Sequence, residues 1–576
     1  MIKARIPAHN SHANLSGYVA ARRSFKWSNA AAELGINSDA GVNIIAQSID
    51  KWAARPDTAG QPAMIFHKGG HTDIYTFLQM RDISARWAGF FVKNGLEAGD
   101  CLMIFLPPCR AFFFAMAACA RAGIVFCPVF ASSGYSELES RLADIAPKAV
   151  LTDPGLVEMI PPERAAALKT LFLTTDAPGL YDNEIVVGDG PASLPADFSP
   201  RLVTPGTALY VVYTSGSTRP PKGIIHGHGD MVGIYASAKW VLDLKADDVL
   251  WTDADPAWVT GTVYAALAPW LCGVASVVSE APAPSSAVNA YRTLEACRVT
   301  VWYTTPNTIR GLMEAGEDLP GRYNLDALRH IVTVGAPLMP DPFYWVRKHL
   351  GLSPHDNWWM SETGMICIAN LPCLDIKPGA IGKPLPGIEA AVLDDSGWEL
   401  PALSIGQLAL KSGWPAMMVG LWGDRARYEG HFQNNWFLTG DIALQDEEGY
   451  FYHQGRLDDI LKTRENRAIG PFEIEQALCG HPAVAEAAVI ARGGDRDTGT
   501  SSIKAFVTLK PGNPASSRLN REIRMFLKAG VAPDIDVDEI TFTEKLPRTR
   551  NGKLLRRVLR AWELGLPGGD AVSMED

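Results

Sequence analysis

The order of apolar and polar positions between residues 99 and 135 sets the pattern for the chain. CLMIF, at 101–105, is a short unbroken apolar run, suited to a strand covered on both faces. Pro107 and Pro108 end it. AFFFAMAACA, at 111–120, has the length of a buried helix, and GIVFCPVF, at 123–130, is again strand-like. Strand, helix and strand within about thirty residues predict a parallel βαβ unit. Similar runs recur in ALYVVYTS (208–215), GVASVVS (273–279), VTVWYTT (299–305), LRHIVTVG (328–335) and AVAEAAVIAR (483–492). The expected fold class is α/β, with more than one sheet built from βαβ units.

The pattern changes after residue 380. Residues 380–455 are rich in Gly, Pro and aromatics with strand-like alternation, as in GYFYHQ, and predict a β-rich subdomain. Beyond HQGRLDDILKT (453–463) the chain reads as helix, turn and strand (471–492), strand (503–510), helix (517–530) and strand (538–547). That is a compact α+β module of domain size. The predicted organisation is a large N-terminal domain, 1–457, and a small C-terminal domain, 458–576, whose last residues, GLPGGDAVSMED, form a loose tail.

Composition narrows the partners. The chain has 576 residues, 47% hydrophobic and 20% charged, with a net charge of −10 and no Lys/Arg block. Such a balance argues against nucleic acid or an anionic membrane as the main partner. The apolar run at 111–120 is too short to span a bilayer and carries Arg110 and Arg121 at its ends. Nine cysteines without a C-x-x-C pair read as thiols in a reducing compartment. The first residues, MIKARIPAHNSHANLSG, hold no apolar segment of the signal-peptide kind, so a cytoplasmic location is expected.

YTSGSTRPPKG, at 213–223, brings hydroxyls, glycines and a lysine together after a strand. Inward-facing backbone N–H groups, hydroxyl donors and the Lys222 charge suit a polyphosphate. A plain Ser/Gly-rich surface turn is the alternative, and the Walker G-K-[ST] ending is missing. Further along come WWMSETG (358–364) with Glu362, LTGD (438–441) with Asp441, GRLDD (455–459) and LPRTRNGKLLRR (546–557) with Lys553. Taken singly, each has a plain reading: Glu362 as a helix cap, Asp441 as a turn residue, Asp458 and Asp459 as a solvated pair, Lys553 as part of a basic surface helix with Arg556 and Arg557.

Taken in this order, the motifs resemble those of the adenylate-forming superfamily of acyl-CoA synthetases, adenylation domains and luciferases, and within it most nearly the acetyl-CoA synthetases. WVTG (258–261), VWYTTPNTIR (301–310), PGAIGKPLPG (378–387) and SGWPAMM (412–418) add to the resemblance, which runs from about residue 40 to 560. It implies that a carboxylate attacks the α-phosphate of ATP to give an acyl-adenylate and pyrophosphate. A mobile C-terminal domain then rotates, and the thiol of coenzyme A displaces AMP. No nucleophilic side chain is required; positioning and charge neutralisation do the catalysis.

The roles that the resemblance implies fall on named positions. Thr214, Ser215, Gly216, Ser217, Thr218 and Lys222 cradle the β- and γ-phosphates, and Glu362 holds Mg²⁺. Ser361 touches the α-phosphate, and Gly335, Ala336 and Pro337 line the adenine. Asp356, Asn357 and Trp358 belong to the nucleotide site. Asp441 and Arg456 hold the ribose, Asp458 is the hinge, and Lys553 swings in for adenylation. Val259, Thr260, Val334 and Trp359 form a pocket for a short acid, acetate or propionate, which Trp359 closes.

Three departures stand out. Arg219 replaces a glycine of the phosphate loop, beside an extra proline in Pro220–Pro221, and Ala336 replaces an acidic residue. ILKTRENRAIGPFE (460–473) lacks the Ser-Gly pair expected near Arg464 and Glu465 and has one residue more before Gly470; Arg467 stands as the catalytic arginine. This loop lies along the coenzyme A tunnel in the family, so the alternative is an adenylating enzyme whose acceptor is an amine or a carrier-protein thiol. A non-catalytic nucleotide-binding relative is a third reading. The joint presence of Lys222, Glu362, Asp441, Arg456 and Lys553 argues against it.

Overall fold

The computed structural model describes residues 13–36, 41–175, 181–188, 190–214, 222–280, 286–459, 461–462, 468–494, 501–530, 537–548 and 554–563. The predicted βαβ unit is present. Strand Cys101–Leu106 pairs in parallel with Val125–Phe130, and helix Arg110–Ala122, buried from Phe112 onward, crosses between them. This unit sits inside an eight-stranded sheet that continues through Ala149–Thr152, Thr170–Leu173 and Glu184–Val186 on one side. On the other side Ala208–Thr214 adds in parallel and turns back antiparallel into Lys222–Gly227.

A nine-stranded sheet carries the other βαβ repeats. Its middle runs, in spatial order, His355–Trp358, His330–Thr333, Val301–Thr304, Val249–Thr252, Ala275–Ser279 and Pro62–Lys68, all parallel. Strands Val301–Thr304 and His330–Thr333 are buried at every position, as continuous apolar runs in a sheet covered on both faces should be. Parallel pairing sends the ends of neighbouring strands to one edge. The segments after Thr252, Thr304, Thr333 and Trp358 therefore meet there, the usual place for a ligand in an open α/β sheet.

The region after residue 380 forms the expected β-rich unit. Ala390–Leu393, Ile405–Lys411, Trp436–Gln445, Phe432–Gln433 and Phe451–Arg456 make a five-stranded antiparallel sheet. The C-terminal part has a three-stranded sheet, Val484–Gly494, Ser501–Leu509 and Glu539–Phe542, with helices Pro471–Cys479, Ser517–Gly530 and Arg556–Glu563. Ile474, Leu478, Val489, Val507, Ile523 and Ile540 give it an apolar core of its own. Within this part Glu486 pairs with Arg548 at 2.8 Å, and across to the larger part it pairs with Arg310 at 2.5 Å. The nine cysteines are unpaired. No helix among the described residues is long and apolar enough to cross a membrane.

Candidate active site

Lys222 starts the return strand of the hairpin, opposite Thr214. Its ammonium forms an ion pair with Glu362 and lies 3.1 Å from Nε2 of His431. Glu362 is 4% exposed. Burial alone would push its carboxyl up, but the Lys222 charge and hydrogen bond hold it below the ordinary range. Burial, with the Lys222 charge, lowers His431 as well.

Glu362 is no helix cap. It occupies a tight turn, Ser361–Thr363, whose three successive carbonyls are each held, one by His226 and two by the 412–418 segment. His226 Nε2 donates to Ser361 at 2.7 Å, the Met418 amide to Glu362 at 3.0 Å, and the Trp414 indole to Thr363 at 2.8 Å. Gly364 closes the turn at φ +65°, where a β-carbon would lie 2.1 Å from the Ala416 carbonyl oxygen. A carbonyl accepts only, so Nε2 of His226 is the donor there, and its Nδ1 lies 2.5 Å from Asp230.

Asp441 is no turn residue either. It lies within strand Trp436–Gln445, opposite Arg456 in the register. Arg456 binds one carboxylate oxygen at 2.6 Å and the Trp358 indole donates to the other at 2.7 Å. Against the upward push of burial, Arg456 and His453 hold Asp441 well below the usual carboxylate range. Asp356 accepts from Thr333 Oγ1 at 2.8 Å and from the Leu338 amide at 2.9 Å, bracketing Val334–Pro337. Asn357 donates to the Thr333 carbonyl at 2.9 Å. Gly335, at φ +93°, faces the Trp258 ring across the same loop.

Val259, Thr260, Val334 and Trp359 are all buried, and Val259, Val334 and Trp359 share one apolar cluster. Gly261 ends WVTG because a β-carbon there would sit 2.1 Å from the Asp255 carbonyl oxygen. The Trp359 indole donates to Tyr303 at 3.0 Å and stands edge-on to Tyr264.

Ser215, Gly216, Ser217, Thr218, Arg219, Pro220, Pro221, Arg464, Glu465, Arg467 and Lys553 lie outside the described residues, as do the side chain of Asp458 and the 565–576 tail. Asp459 is not solvated: Arg560 binds it at 2.7 Å. Nor is Arg556 a surface charge, since it is largely buried against Glu475. Sequence reasoning missed His226, Tyr264, Tyr303, Trp414 and His431. Tyr303 stands inside a recognised motif, but it reads there as one more apolar strand position.

Two α/β sheets and a β-rich unit carry the Lys222–Glu362 pair at a strand start and a turn, and Asp441 within a strand. The model of the AMP-binding enzyme family matches residues 50–422, that of the AMP-binding enzyme C-terminal domain matches 473–553, and the chain belongs to this family. An acetyl-coenzyme A synthetase of Bacillus subtilis is 39% identical over 573 residues, 99% of each chain. One of Pyrobaculum aerophilum is 35% identical over 84% of this chain and 76% of its own. An acetoacetyl-CoA synthetase from Streptomyces lividans shares the fold, with a TM-score of 0.88 at 20% identity, covering 100% of this chain and 97% of that one.

Proposed function

We propose that the protein is an AMP-forming acetate–CoA ligase that works through an acetyl-adenylate. The observation that carries the reading is Trp359, buried with Val259 and Val334 in the segment that also bears Glu362. The names of the relatives support acetate, ATP and coenzyme A as substrates and do not favour an amine or carrier-protein acceptor.

Lys222 leaves Glu362 when ATP enters and, with Thr214 and residues 215–218, neutralises the β- and γ-phosphates. Glu362, a carboxylate freed of its partner, fits Mg²⁺, which takes hard oxygen ligands and keeps phosphate and water in its shell. Bound there, the ion offsets phosphate charge. Ser361 contacts the α-phosphate, Gly335–Pro337 and Trp358 flank the adenine, and Asp441 with Arg456 receives the ribose hydroxyls. The acetate oxygen attacks the α-phosphate in line with departing pyrophosphate, and Lys553 and Arg467 balance the charge. Residues 458–576 form the mobile domain, turning at Asp458, and the coenzyme A thiol then displaces AMP.

The test measures AMP from ATP and acetate with and without coenzyme A, beside pyrophosphate exchange. Coenzyme A-dependent AMP release with acetate as the best acid is expected. Exchange without that release would transfer the reaction to another acceptor, and no exchange with any acid would end the enzyme reading.

A further inference from the structure

The acyl pocket's end wall is held by a hydrogen-bond chain whose direction is fixed at every link. The Trp359 indole has a donor and no acceptor, so at 3.0 Å it donates to the Tyr303 oxygen. The Thr333 carbonyl has no donor, so the Asn357 amide nitrogen faces it, at 2.9 Å. The Asn357 oxygen is left to receive the Tyr303 hydroxyl proton, at 3.1 Å. The chain runs from the indole of Trp359 through Tyr303 and Asn357 to the backbone next to Val334, joining two walls of the pocket. Tyr303 is 1% exposed and Asn357 4%. Burial keeps the Tyr303 phenol protonated, so the donor persists. Tyr264 completes the frame: its ring meets Trp359 and Tyr303 edge-on at 5.1 and 5.4 Å, and its hydroxyl accepts from the Ile366 amide at 2.8 Å.

We infer that Tyr303 is a specificity-positioning residue, which locks the Trp359 indole across the acyl pocket and so sets the longest acid admitted. The inference rests on the reading of Trp359 as the pocket's end wall. An indole fills space that a longer alkyl chain needs, but only while it holds one orientation. Without the phenolic oxygen the indole N–H and the Asn357 oxygen are both buried and unpaired, and the ring gains by rotating toward other partners. Tyr303 touches no reacting atom in this arrangement. Its loss should therefore move the choice of acid and leave the handling of ATP alone.

The experiment compares kcat/KM for acetate, propionate, butyrate and hexanoate in wild type, Tyr303→Phe, Trp359→Phe, the double variant and Trp359→Gly, with the KM for ATP and the melting temperature beside them. Selectivity for acetate over butyrate should fall at least fivefold in Tyr303→Phe, with the KM for ATP within twofold of wild type. Trp359→Phe removes the donor and keeps a ring, so it should shift selectivity the same way, and the double variant should add little to either single change. It also carries the test should Tyr303→Phe not fold. A wild-type acid profile in Tyr303→Phe, or additive shifts in the double variant, overturns the role of Tyr303 while a shifted Trp359→Gly profile leaves the pocket standing. An unshifted profile in Trp359→Gly overturns both.

Discussion

At the scale of single residues the ligand-free site is held by charge balance. Lys222 and Glu362 are both largely buried and each is the other's main partner. Removing one partner of such a pair typically costs about 3–5 kcal/mol, because the remaining charge is left uncompensated. Glu362→Gln is expected to lower the melting temperature of the free enzyme. It should also cut acetate-dependent pyrophosphate exchange by about 10²–10³-fold, the usual effect of losing one electrostatic contact in a dry site. A variant with wild-type exchange across a Mg²⁺ titration would remove Glu362 from the metal role. Glu362 was legible in the sequence because its neighbours, WWMSETG, form a motif. His431, which shares Lys222 with it, stands in HFQNNW with no pattern to mark it.

At the scale of elements the rigid parts are turns and strand ends. In Gly364→Ala the added carbon meets the Ala416 carbonyl and His226 while φ stays positive. Overpacking and backbone strain together should cost about 2–4 kcal/mol, read in a denaturant melt. A neutral result would mean that the turn has room to shift. Just past strand Val249–Thr252, Asp253 is buried, and burial pushes its carboxyl up from 3.8 to about 7 despite hydrogen bonds from Thr304 and Trp302. A raised value in the folded state means that the fold favours the protonated form. This contribution is complete below about pH 4 and is lost as pH rises to about 7. Asp253→Asn mimics the protonated acid. Melts from pH 5 to 8 should therefore show a smaller loss of stability in the variant than in wild type, and identical slopes would assign the pH dependence elsewhere.

At the scale of the whole molecule the proposed reaction needs two arrangements of its C-terminal part. Lys553→Ala is expected to abolish adenylation while sparing thioester formation from supplied acetyl-adenylate and coenzyme A. If both half-reactions collapse equally, the two-arrangement scheme is wrong. The ion pair of Glu486 with Arg310 reaches from the C-terminal sheet to a helix of the larger part. Its members are separate charges in the sequence, and nothing near either one signals the other.

The strands, the helix at 110–122, the β-rich unit and the C-terminal module were legible because each depends on local period and length. Apolar runs of strand length bury on both faces wherever they lie, and a helix-length run between two of them forces a parallel crossover. The order of motifs likewise singled out Lys222, Glu362, Trp359 and Asp441 as candidates without a structure. The sheet order was not legible, since strands 249–252, 301–304, 330–333 and 355–358 are neighbours only through crossovers that the sequence leaves open. From that order follows everything that depends on distance in space. Asp356 is turned inward to bracket a loop, His226 and Trp414 reach the Glu362 turn from distant segments, and Tyr303 stands between Trp359 and Asn357. Hydrogen bonds and ion pairs act over about 3 Å, whereas sequence pattern reports only which face of an element is apolar, so those partners were set by tertiary packing alone.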